Sequence, residues 1–259
     1  MREARLLGLP LLLLCWLASP AAAGWVIEQV HSSIGPKGRT AFEQTSTVFV
    51  SGNKVYARHE PLELVADFSK GELLLLLQEK KLYWRGLISE YVDEVRELVR
   101  GPAFQRPPSG EGEKEKRREV KIRVEATGSE ETVAGYPAEK YIVYADGKVF
   151  QEIWIAPGVG IAAELDVEKL NEFQHEASGG IRGRTADAYR ALVKDREYRK
   201  LYRKGFPVRI QARLGESILR TEVRRIEKRA LDEGLFSPPA GFARVSLARL
   251  FDERNAVGR

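Results

Sequence analysis

Ile142-Val143-Tyr144-Ala145-Asp146-Gly147-Lys148-Val149-Phe150-Gln151-Glu152-Ile153-Trp154-Ile155 is the stretch on which the fold turns. Two runs rich in β-branched and aromatic residues flank Asp-Gly, the pair that accepts positive φ at both central positions of a type I′ turn. The stretch therefore predicts an antiparallel hairpin. Working back from it, 120–127 and 132–141 read as strands parted by Gly128-Ser129. Working forward, past helical segments, 206–213 and 217–228 flank Leu214-Gly215-Glu216 as a last hairpin.

The first half repeats the theme. Trp25 to Val30 is one apolar run, Gly35-Pro36-Lys37-Gly38 turns the chain into 41–50, and Ser51-Gly52-Asn53 is a tight hairpin signal before 54–58. Leu62, Leu64, Ala66 and Phe68 alternate with Glu63, Val65 and Asp67, which places four apolar side chains on one face. The five leucines 73–77, bounded by turn signals, predict a short strand buried on both faces, and 82–84 pairs back on it. The whole of 25–86 reads as an antiparallel meander.

Three segments change period. Ile88, Tyr91, Val92, Val95, Leu98 and Val99 predict an amphipathic helix over 88–99. A second is expected over 166–177. A third is expected over 186–203, capped by Thr185, with Tyr189, Leu192, Val193, Leu201 and Tyr202 on one side. Between the halves, 101–118 carries Pro102, Pro107 and Pro108, three glycines and dense mixed charge, and reads as a flexible surface insertion.

The first 23 residues read as a secretory signal peptide: Arg2 and Arg5, an unbroken apolar run from Leu6 to Leu17, then small residues up to Ala23 before Gly24. Cleavage is expected between Ala23 and Gly24. Removing 23 residues from 259 leaves 236, enough for one domain over 24–259. Cys15 leaves with the leader, which excludes disulfides, thiolate nucleophiles and cysteine metal ligands from the mature chain. The expected place is the bacterial periplasm, or outside the cell.

Signals for chemistry are sparse. His31, His59 and His175 lie apart with no metal-ligand spacing, and no Gly-x-Ser-x-Gly elbow occurs. Gly179-Gly180-Ile181-Arg182-Gly183-Arg184 lacks the lysine and hydroxyl of a phosphate-binding loop. No enzyme activity, cofactor or metal is expected. Net charge is +5, and 186–204 is strongly basic, with Arg190, Lys194, Arg196, Arg199, Lys200, Arg203 and Lys204. For an exported chain nucleic acid is not the expected partner. An anionic membrane surface is one reading of this segment, and a solvated helix covering the sheet is the other.

Gly135-Tyr136-x-Ala138-x-Lys140-Tyr141, Glu152-Ile153-Trp154-Ile155-Ala156-Pro157 and the terminal Pro239-x-Gly241-Phe242-x-x-Val245 resemble the bacterial envelope proteins of the DUF4412 family, and more distantly the LolA/LolB lipoprotein-carrier superfamily. The resemblance implies a mainly β fold with helices (α+β), a curved antiparallel sheet or incomplete β-barrel covered by about three helices, with an apolar hollow between them. A lipid, acyl chain or lipidated peptide is the ligand expected there, and Leu64, Ala66, Leu75, Trp84, Trp154 and Ile210 are the candidates to line the hollow. For Trp84 and Trp154 core packing is the competing reading. The alternative function is an envelope interaction or structural domain with a filled core.

Overall fold

A computed structural model describes residues 22–100, 119–166, 169, 170, 173 and 184–257. Residues 1–21 of the leader, the insertion 101–118, His175 and most of the helix expected over 166–177 lie outside these residues, although Lys169, Leu170 and Phe173 are helical.

One curved, unclosed sheet of twelve strands runs through the molecule. The meander gives β1 (Ala22–Ile34), β2 (Thr40–Ser51), β3 (Lys54–Arg58), β4 (Glu63–Asp67), β5 (Glu72–Leu77) and β6 (Leu82–Leu87). The second half gives β7 (Ile122–Val133), β8 (Tyr136–Ala145), β9 (Lys148–Ala156), β10 (Phe206–Leu214) and β11 (Ser217–Leu231). A two-residue β12 (Ala243–Arg244) adds in parallel to β6, whereas the other pairings are antiparallel. The order is β12-β6-β5-β4-β3-β2-β1-β11-β10-β9-β8-β7. The N-terminal strand thus stands mid-sheet and joins the two halves through its long ladder with β11.

The turns form as their residues require. Asp146 and Gly147 take φ of 51° and 78°, and Gly52 and Asn53 take 53° and 68°, the left-handed pairs that a tight hairpin needs. β5 is buried on both faces. Leu73, Leu75 and Leu77 join one apolar cluster, under α1 (Ile88–Arg100) and a C-terminal helix. Leu74 and Leu76 join another with Phe49, Tyr56 and Val65, covered by Phe236 and Phe242.

Two segments depart from the sequence reading. The single helix expected over 186–203 is two, α2 (Arg184–Lys194) and α3 (Arg196–Lys204), and Thr185 lies inside α2 instead of capping it. Asp195 causes the break: its backbone is extended and its carboxylate accepts the Tyr198 N–H at 2.9 Å, an N-cap that restarts the helix. Asp195→Ala is expected to cost about 1 kcal/mol, read as a lowered urea midpoint. The helix α4 (Leu247–Val257) was not expected. Leu247 and Leu250 are fully buried against the sheet, and the Ser246 hydroxyl accepts the Arg249 N–H at 3.3 Å at the helix start.

Candidate functional site

A cavity of about 230 Å³ opens where β1, β2, β3, β10 and β11 meet the chain between β9 and α2 and the end of α3. Ile27, Val48, Val50 and Val55 supply one wall, and Phe206 and Ile210 another. Ile161, Leu165, Leu170 and Tyr202 close over them. Gln29 and Thr221 are its polar groups besides the Tyr202 hydroxyl, and no charged side chain lines it among the described residues.

Its covering segment is tied down by polar contacts. The Asn53 N–H donates to the Glu164 carbonyl at 2.9 Å, and the Asp166 N–H donates to Asn53 Oδ1 at 2.7 Å. Trp25 Nε1 donates to Glu164 Oε1 at 3.1 Å, and Lys228 pairs with the same carboxylate at 2.8 Å. The hairpin turn of the first half therefore fixes the roof supplied by the second. On the α3 side, Tyr198 is buried and bonds Tyr202 hydroxyl to hydroxyl at 2.9 Å. Burial pushes the Tyr202 phenol up to about 12, so it stays uncharged.

The sheet face continues outward from the cavity in ordered rows. Val48 stands opposite Ile27, then Ser46 opposite Gln29, then Gln44 opposite His31, then Phe42 opposite Ser33. On the other side Thr221 stands opposite His31 and Leu219 opposite Ser33. An apolar cavity thus passes through a polar belt to an exposed apolar rim, where Phe42 and Leu219 are 51% and 43% accessible.

His31 organises the belt. Its Nδ1 is 3.0 Å from the Thr221 hydroxyl, and its Nε2 is 2.9 Å from the Ser46 hydroxyl and 3.2 Å from the Gln29 amide. His59 meets it edge to face at 6.1 Å. Burial holds the His31 imidazole below its usual range, and His59 adds to the effect. The Ser46–His31 pair is not a hydrolase triad, since a hydroxyl occupies the position where a carboxylate would orient the ring.

Two other charged features are taken up by internal pairing. On the opposite face a groove contains the pairs Lys54–Glu233 at 2.7 Å and Arg85–Glu72 at 2.6 Å. The buried Glu63 accepts from Tyr56 at 2.5 Å and Gln78 at 2.6 Å, which makes it a structural carboxylate.

Of the six residues expected to line a hollow, Ile210 lines this cavity. Leu64, Ala66, Leu75 and Trp84 belong to the packed apolar cluster to which residues of α1 and α4 also contribute, and Trp84 meets Tyr91 at 6.0 Å. Trp154 is buried between Lys140 and Arg209, at 4.8 and 4.9 Å from the ring. The histidine belt and the valines of β2 and β3 went unrecognised in the sequence. The Gln29/His31 and Ser46/Val48/Val50 alternation marks a strand face, but it does not say that β11 lies beside it.

The model of a domain of unknown function, DUF4412, matches residues 109–242, just over half of the chain. The chain belongs to the DUF4412 family. The family match runs from the insertion through β7–β11, and most of the residues that carried the resemblance in the sequence fall within it. The meander β1–β6 lies outside the match and supplies the other wall of the cavity.

No curated protein matches the chain. Among solved structures, PNGF-II in a C2 crystal form is similar at a TM-score of 0.40 and 12% identity, over 90% of this chain and 33% of that one. The Pseudomonas aeruginosa MucA/MucB complex is similar at 0.37 and 12%, over 88% and 60%. A DUF1329 family protein from Desulfovibrio piger is similar at 0.22 and 10%, over 85% and 91%. The chain thus spans a third of the PNGF-II chain and 60% of the MucA/MucB chain it matches. With TM-scores below 0.5, these likenesses carry no functional argument.

Proposed function

We propose that this is an exported, non-enzymatic binding protein that holds the apolar chain of a lipid or lipidated peptide in the cavity under α3. The observation that carries the reading is an uncharged, mainly apolar cavity that opens through a polar belt along the sheet face. At about 230 Å³ it lies just under the ~300–1,000 Å³ common for small-molecule sites, which suits the end of one chain better than a whole lipid.

Export rests on the leader 1–23, with cleavage between Ala23 and Gly24. Loss of the leader removes two residues from the tip of β1, Ala22 and Ala23, and leaves the ladder from Gly24 onward to pair with β11. In the periplasm the abundant apolar chains belong to lipids. The exposed Lys194 of α2 and Arg196, Arg199 and Lys204 of α3 favour approach to an anionic membrane, although Lys200 is engaged by Glu197 at 2.7 Å and Lys204 donates to Tyr141 at 3.0 Å.

Ile210→Glu puts a carboxylate into the cavity and is expected to abolish uptake of a fluorescent fatty acid while the protein stays folded, because Ile210 is only half-buried. A folded Ile210→Glu protein that takes up the probe as well as its parent does would overturn the reading.

A further inference from the structure

We propose that His31, Ser46, Thr221 and Gln29 form a recognition site for a carboxylate head, so that the preferred ligand is a free fatty acid with its chain in the cavity. The proposal rests on the chain-binding reading above and deepens it. Gln29 and Thr221 belong both to the cavity wall and to the belt around His31, so a chain end in the cavity brings its head to the imidazole. The partners of His31 are all uncharged.

A carboxylate supplies what the belt lacks, a counter-ion. Accepting from a charged imidazole and a hydroxyl, it would make the charge-assisted bonds that a neutral ester cannot. Among the described residues, the strand register brings no acid into that role. Gln44 and Thr221 stand opposite His31, Ser46 and Gln29 bond it, and His59 is the titratable group that touches it. Glu28, Glu43 and Glu222 occupy the intervening strand positions, and Glu222 is engaged by Arg209 at 2.8 Å on the other face.

The sign of the pH dependence follows. Burial holds His31 below its usual 6.5, so the ligand-free fold favours the neutral ring. Stability from this group is full above 6.5 and declines as pH falls through the folded-state value. A bound carboxylate favours the charged ring and reverses the effect, so binding takes up a proton and tightens as pH falls. The acid itself, with a pKa of about 4–5, stays mostly ionised over this range.

The probes are decanoate and methyl decanoate, titrated calorimetrically into the protein at about pH 5.5 and about pH 7.5, which bracket the histidine range. Decanoate is expected to bind about tenfold more tightly than the ester at the lower pH, with the preference shrinking at the higher. His31→Gln, which hydrogen-bonds but does not charge, should keep ester binding and lose the acid preference. In the parent, NMR should show the His31 pKa rise on adding decanoate. Equal binding of acid and ester, or an acid preference unchanged in His31→Gln, overturns the head-group site and leaves the cavity reading standing. If neither probe binds the parent, the cavity reading fails and this proposal fails with it.

Discussion

Leu75→Ala is expected to lower the stability of the protein by about 2–5 kcal/mol without weakening chain binding at temperatures where it remains folded. Leu75 is 2% exposed and stands between Leu64 on β4 and Trp84 on β6, with Leu73 and Leu77 beside it and α1 and α4 above. Removing its branch leaves a void that neighbours held in strand register fill only partly, so the lost transfer energy and the cavity term add. This half of the sheet acts as a frame whose interior is filled. Urea unfolding and fatty-acid uptake, measured on the same preparation, separate the two roles: Ile210→Ala should show the opposite pattern, a smaller loss of stability and weaker uptake. A Leu75→Ala protein as stable as its parent, or one that stays folded but loses uptake, would contradict this division between frame and cavity.

Gly205→Ala is expected to cost about 3 kcal/mol, the upper end for overpacking, and to reduce chain binding as well. Gly205 ends α3 and leads into β10 with an extended backbone, so the constraint is steric and not conformational. A Cβ there would overlap the carbonyl oxygen of Ala156, with its carbonyl carbon at 2.6 Å and Pro157 Cα at 2.8 Å. Backbone atoms cannot rotate aside as a side chain can. Either α3 lifts or the first rungs between β10 and β9, Phe206 with Ala156 and Pro207 with Ile155, separate. Gly205, Phe206 and Pro207 all line the cavity, so either movement changes its shape. Gly160→Ala serves as the control, since its Cβ would meet Trp25 at an ordinary 3.7 Å. Thermal unfolding of the two variants should differ clearly, and equal midpoints would show that the backbone of β9 does not constrain position 205.

Local signals carried much of the fold. Asp146-Gly147 and Ser51-Gly52-Asn53 place their hairpins because few other residues accept those backbone angles, and Leu73 to Leu77 marks a strand buried twice because nothing polar interrupts it. Asp195 was hidden by its surroundings: the apolar stripe from Tyr189 to Tyr202 reads as continuous across it, although an aspartate two residues before Glu197 is a fair cap signal. The helix α4 carries a short signal, Leu247, Leu250 and Phe251 at helical spacing after Ser246.

The site was less legible than the fold, for a physical reason. His31 meets Ser46 across one hairpin, but it meets Thr221 across 190 residues of chain, and only the β1–β11 register brings those side chains together. Which face of a strand is filled and which is left hollow depends on where the covering helices end. Leu64, Ala66 and Leu75 share an apolar face with Val48 and Val50 and join one cluster, yet only the second pair borders the opening under α3.

Mass spectrometry of what is extracted from the gently purified protein tests the central claim most directly. The account predicts an acyl-chain compound at a near-stoichiometric level, displaced by added decanoate and absent from Ile210→Glu. Protein that is recovered empty, and that takes up no fatty acid when one is offered, would contradict it.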